Sequence, residues 1–109
     1  MSQLPLVDIS SETDRHVIIA QGTEEVYQGH PTTVLMPDGR TMFCTWSIDH
    51  GGPCGPTARS DDGGLTWTTV PTPGDWPETW NCPSMYLLEG TDGKHRLMVF
   101  AAQPEMPFS

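Results

Sequence analysis

Ser60-Asp61-Asp62-Gly63-Gly64-Leu65-Thr66-Trp67 is the stretch on which the fold turns. It reads as a tight hairpin turn with its own clamp. The Asp62 carboxylate is placed to accept hydrogen bonds from the backbone N–H groups of its own turn. Gly64 can take a dihedral closed to residues with a Cβ. Trp67 offers a large apolar surface to pack on the neighbouring hairpin. Ser60, Asp62, Gly64, Thr66 and Trp67 are therefore expected to shape the hairpin, with Asp62 a turn clamp and not a catalyst.

Working outward, short apolar runs alternate with turn signals, the pattern of an all-β chain. Thr57–Ser60 and Thr66–Val70 are the strands of the quoted hairpin. Before it stand Thr32–Met36 and Thr41–Ile48, joined by Pro37-Asp38-Gly39. There proline presets one dihedral, and Asp-Gly tolerates positive φ. In Thr41–Ile48, Met42, Cys44 and Trp46 fall on one face and Phe43, Thr45 and Ser47 on the other. Asp49–Pro56 is a glycine-rich loop, and Pro71–Cys82 is a long loop carrying Trp76 and Trp80. Ser84–Leu88 and Arg96–Ala102 are two more strands, joined through Thr91-Asp92-Gly93. At the start, residues 1–14 read as an irregular polar segment. Arg15–Gln21 reads as a strand centred on Val17, Ile18 and Ile19.

The chain also repeats. Pro31 to Met36, Asp38-Gly39 and Thr41 to Cys44 have counterparts in Pro83 to Leu88, Asp92-Gly93 and Arg96 to Val99, with the two prolines 52 residues apart. A period near 50 with four strands per unit marks a propeller blade. The expected fold is an all-β propeller occupying residues 15–109, with about two four-stranded antiparallel blades. The first spans about 31–70, and the second, begun at about 83–102, is incomplete. Propellers close their ring with about four to eight blades. Closure is thus expected to need the rest of a propeller or self-association.

Composition narrows the partners. The 109 residues carry 5 basic and 14 acidic side chains, a formal net charge of −9. That argues against nucleic acid and against anionic membrane surfaces, which select basic patches. The longest apolar run, Leu97–Ala102, is far too short to span a bilayer. Met1-Ser2-Gln3-Leu4-Pro5 does not read as a signal peptide. Of the three cysteines, Cys44 and Cys54 either bridge across one loop or, with Cys82, stay a buried thiol and two loop thiols. No zinc-ligand spacing occurs, and neither metal nor cofactor is expected.

Residues 60–67 fit the pattern Ser-x-Asp-x-Gly-x-Thr-Trp at every fixed position, which resembles the Asp-box, or BNR repeat, of the sialidase (neuraminidase) superfamily. The order of features from Tyr27 through Gly29-His30-Pro31, Pro37-Asp38-Gly39 and Asp49-His50 to Ser60 is similar to the first blade of that family. The likeness covers roughly Val17 to Ala102. It implies the N-terminal part of an exo-α-sialidase-like glycoside hydrolase acting on glycans, and a secreted or periplasmic location. The alternative is a propeller that binds glycans without cleaving them. In the family a strand-start arginine helps to grip the substrate carboxylate; here Gly29 stands in its place. The family's tyrosine nucleophile and partner glutamate come late in its chains, so these residues alone are expected to be inactive.

Strand alternation sorts the loops without further family knowledge. The Pro37-Asp38-Gly39 turn and the Asp62 turn share one end. His30, the Asp49–Pro56 loop and Asn81 share the other, where the long loops gather. Asp49 is the candidate general acid, in keeping with the family's acid in this loop, or else a solvated loop aspartate. His30, His50 and Asn81 are candidate substrate contacts. Trp76 and Trp80 either stack on sugar rings or plug gaps between blades.

Overall fold

The structure is a computed structural model and describes residues 3–72, 74 and 76–103. Among these residues, six strands form two antiparallel sheets. The first contains β1 (Gln28–Leu35), β2 (Met42–Ile48), β3 (Cys54–Ser60) and β4 (Thr68–Val70) in that order. The second pairs β5 (Trp80–Glu89) with β6 (His95–Ala102). No α-helix occurs among the described residues. Short 3-10 turns sit at Thr13–Arg15 and Trp76–Glu78.

Local chemistry explains the hairpins. Gly39 N–H donates to the Met36 carbonyl at 3.0 Å, and Gly39 takes φ 70°. The second sheet repeats this turn: Gly93 N–H donates to the Gly90 carbonyl at 3.0 Å, with Gly93 at φ 75°. In both, the glycine supplies the left-handed residue that lets the strands leave with the right twist.

Several strands are longer than their apolar runs. β1, β3 and β5 each extend toward the loop-rich end, so the loop read as Pro71–Cys82 gives way to strand at Trp80. Two prolines mark where those extensions break register. Pro31 has no N–H for the ladder, and the β1–β2 register shifts between Gly29 and Thr32. Pro83 sits in the matching irregularity between Trp80 and Ser84.

The strand expected at Arg15–Gln21 does not form. The segment has no partner in either sheet, and a strand needs one to satisfy its backbone. Val17 and Ile18 are exposed, whereas Ile19 and Ala20 pack on the core of Cys44, Trp46 and Ala58 together with Ile48 and Trp67. That core covers one face of β2. The other face is buried as well: Thr45 and Ser47 are both 0% exposed. β5 lies against β1 and β2 on this side, and Met85 N–H donates to Thr32 Oγ1 at 3.4 Å. The buried hydroxyls are paired, Thr45 with the Pro56 carbonyl at 3.1 Å and Ser47 with the carbonyls of Gly29 and Asp49 at 3.2 Å. β5 covers the first sheet only in part, and a groove of about 610 Å³ lined by Phe43, Thr57, Val70, Trp76, Met85 and Leu97 remains between the sheets. On its far face the second sheet exposes Tyr86, Leu88, Met98 and Phe100.

All three cysteines are free thiols. Cys44 pairs with Ala58, and Cys54 with Ser47. Their Cα atoms therefore stand ~10 Å apart along the strands, beyond the span of a disulfide. Cys54 is not a loop thiol: it begins β3 and is buried.

Candidate functional site

The two ends of the sheets are built by different chemistry. One end is held by aspartates. Asp38 accepts from the N–H groups of Arg40 and Thr41 at 2.8 and 2.7 Å, and from the Thr41 hydroxyl. Asp62 accepts from the N–H groups of Leu65 and Thr66 at 3.1 and 2.9 Å, from the Ser60 hydroxyl at 2.8 Å, and from the Thr66 hydroxyl. Gly64 N–H donates to Ser60 Oγ at 2.9 Å, and the Trp67 indole N–H donates to the Gly64 carbonyl at 2.8 Å. Each of the five residues picked out in this turn thus has a place in it. Gly63 N–H donates to the Arg40 carbonyl at 2.8 Å, joining the Asp62 turn to the Asp38 turn. Asp92 clamps the third turn through Lys94 N–H and the Arg96 guanidinium.

The opposite end gathers the candidate contacts. Among the described residues, the non-glycine residues with positive φ are His30 at 46°, Asp49 at 61° and Asn81 at 74°. Each sits where a strand starts or stops. His30 rides on the β1 irregularity at Pro31, and Asn81 on its counterpart before Pro83. Asp49 follows β2 directly. Left-handed backbone is costly for residues with a Cβ, least so for Asn and Asp. Such conformations cluster at binding and catalytic sites, where the surrounding structure enforces them.

Contacts tie these positions together. His30 Nε2 lies 3.1 Å from His50 Nδ1, with the ring centroids 4.6 Å apart. Asp49 Oδ1 accepts from Tyr27 N–H at 3.1 Å, and Asp49 N–H donates to the Tyr27 carbonyl at 2.7 Å. One carboxylate oxygen thus pins the loop to the entry of β1, and no hydrogen bond to Oδ2 occurs among the described residues. Asn81 N–H donates to the Gly52 carbonyl at 2.9 Å, and Cys54 N–H to the Thr79 carbonyl at 3.0 Å. These bonds flank a bridge between Pro53 and Trp80, so the two sheets are joined at this end. Gly51 takes φ 70°, and a Cβ there would make only ordinary contact, 3.8 Å, with the Asn81 side-chain oxygen.

The tryptophans part company. Trp76 is buried, and its indole N–H donates to the Gly55 carbonyl at 2.7 Å. It fills space between the sheets. Trp80 is 39% exposed on the joining strand. Tyr27 was not among the expected contacts, yet it brackets Asp49 and stands 57% exposed beside it. Its only signal in the sequence is an aromatic residue shortly before the Gly-His-Pro strand start.

The arrangement places imidazole, amide and carboxylate groups at one end of the sheets, apart from the groove between the sheets, which none of His30, Asp49, His50 and Asn81 lines. Among the described residues no group of three or more His, Cys, Asp or Glu side chains is placed to hold a metal ion. Among the described residues no helix is long and apolar enough to cross a membrane. No family model, curated protein or solved structure matches the chain.

Proposed function

We propose that the chain forms two adjacent blades of a sialidase-type Asp-box propeller, and that its His30–Asp49–His50–Asn81 end contacts a glycan. The observation that carries this reading is the convergence of three left-handed non-glycine residues on one end, opposite the Asp62 turn. Loops at one end of a rigid β scaffold are where sites are usually built. The repeated turn at Gly39 and Gly93 supports a repeat of blades, as does the face-to-face packing of the sheets. The apolar far face of β5–β6 supports a further sheet beyond the second.

In the hydrolase form of this reading, Asp49 Oδ2 carries the proton passed to the leaving oxygen, and His30, His50 and Asn81 hold sugar hydroxyls. A nucleophile must then come from beyond these residues. The non-catalytic form is favoured by one observation: at Gly29 there is no room for a side chain. A Cβ there would lie 2.7 Å from the Asp49 carbonyl oxygen and 2.8 Å from the Tyr27 ring.

The test is NMR titration of the 15N-labelled chain with a panel of monosaccharide methyl glycosides. Shifts confined to the amides of Tyr27, His30, Asp49, His50 and Asn81 are expected. Saturating sugar that moves none of these amides would refute the glycan reading.

A further inference from the structure

We infer that this end selects uncharged sugars over sugars bearing a carboxylate. The inference rests on the glycan reading above and adds the class of ligand. Its basis is the placement of every fixed cation in the chain. Lysine and arginine together number five. Arg40 and Lys94 belong to the aspartate-clamped turns at the opposite end. Arg59 is held by Asp61 at 2.8 Å and lies over the Phe43 ring. Arg96 is held by Asp92 at 2.7 Å, and Arg15 pairs with Glu12 in the N-terminal segment.

Among the described residues, none of these five cations is hydrogen-bonded or ion-paired to His30, Asp49, His50 or Asn81. The strand start cannot carry one either, because the Gly29 position is closed by the Asp49 carbonyl and the Tyr27 ring. A carboxylate ligand is best held by a guanidinium fork or an ammonium. Here it would instead meet the Asp49 carboxylate, in a chain of net charge −9, and like charges repel. A hydroxyl has the opposite fit. It donates to Asp49 Oδ2 or to the Asn81 carbonyl oxygen, and accepts from the Asn81 amide or an imidazole N–H.

Matched pairs isolate the charge. Methyl glucoside is compared with methyl glucuronide, and methyl galactoside with methyl galacturonide, since each pair differs at one carbon. Affinities come from the amide shifts of His30, His50 and Asn81 at pH 8. A neutral member is expected to bind about tenfold tighter than its uronide at low salt, with the gap narrowing at high salt. His50→Arg, which places a cation at the site, is expected to reverse the preference. A uronide that binds the unaltered chain as tightly as its neutral partner overturns the inference and leaves the glycan reading standing. Shifts with none of the four sugars would remove both.

Discussion

Asp38 and Asp62 share a bonding pattern on two hairpins: one oxygen takes backbone N–H groups and the other takes a threonine hydroxyl, with the Ser60 hydroxyl a further donor to Asp62. The hydroxyl bonds, Thr41 to Asp38 and Thr66 to Asp62, are the main cause that holds both carboxyl groups down to about 2, with the backbone donors adding to it. A carboxylate whose folded pKa is depressed stabilises the fold above its unfolded pKa, and that contribution is lost as pH falls through the folded value. The unfolded value is near 3.8. Thermal melts should therefore show stability falling from about pH 4 toward pH 2. Asp38→Asn with Asp62→Asn should flatten that limb. An acid limb as steep in the double variant as in the parent would place its origin elsewhere.

Asp62→Ala should lower the melting temperature and Asp61→Ala should not. The first substitution leaves the N–H groups of Leu65 and Thr66 and the Ser60 hydroxyl short of an acceptor. The second removes only the exposed partner of Arg59, and exposed pairs contribute little. Equal melting temperatures for the two variants would show that the turn does not depend on its carboxylate.

The hairpins were legible in the sequence because their causes are local. Pro37-Asp38-Gly39 and residues 60–67 contain the donors, acceptors and glycines that their turns use. Arg15–Gln21 was misread because three adjacent apolar residues say nothing about a partner strand, and only Ile19 of the three found the core. The end that bears His30, Asp49 and Asn81 followed from counting strands. Their left-handed backbone did not, since for His30 nothing nearby favours it, and the following proline disfavours helical backbone at that position. The burial of Trp76 depends on how the two sheets pack, which local pattern does not record.

Thiol chemistry should single out Cys82. Cys44 is 1% exposed and Cys54 7%, and burial pushes the Cys44 thiol up from its ordinary value. Both the thiolate fraction and access are thereby reduced. Cys82 is exposed. Native protein treated with an aromatic disulfide reagent should release one fast equivalent, abolished by Cys82→Ser. The remaining two thiols should react only in denaturant. Fast release from Cys54 would mean that the Pro53–Trp80 junction opens readily.

Gly29→Ala should destabilise the fold by about 1–3 kcal/mol, the usual range for forcing extra atoms into a packed site. The added methyl meets the Asp49 carbonyl oxygen, which is backbone and cannot swing aside, and the Tyr27 ring. Gly39→Ala has open space around its Cβ but a φ of 70°, so its cost is conformational, about 1 kcal/mol. Urea melts separate the two causes. The Gly29 variant should also shift the Asp49 amide, whereas the Gly39 variant should leave that end untouched.

Strain at the site end predicts a trade between stability and binding. His30 is held at φ 46°, a conformation that disfavours any residue with a Cβ, by about 1 kcal/mol or more. Glycine adopts it freely. His30→Gly should therefore leave the melting temperature unchanged or raise it, even though the contact to His50 is lost. Thr33→Gly, at an exposed position of the same strand, is the control. It has no such strain to relieve and should cost about 1 kcal/mol. Asn81→Gly should behave like His30→Gly with a smaller gain, because asparagine tolerates left-handed backbone better than histidine does. If these residues are kept for what their side chains hold, both site variants should lose the sugar-induced amide shifts while folding at least as well as the parent. A His30→Gly chain that melts as early as Thr33→Gly would show that the histidine stabilises the strand start, and the link drawn from strain to binding would fail there.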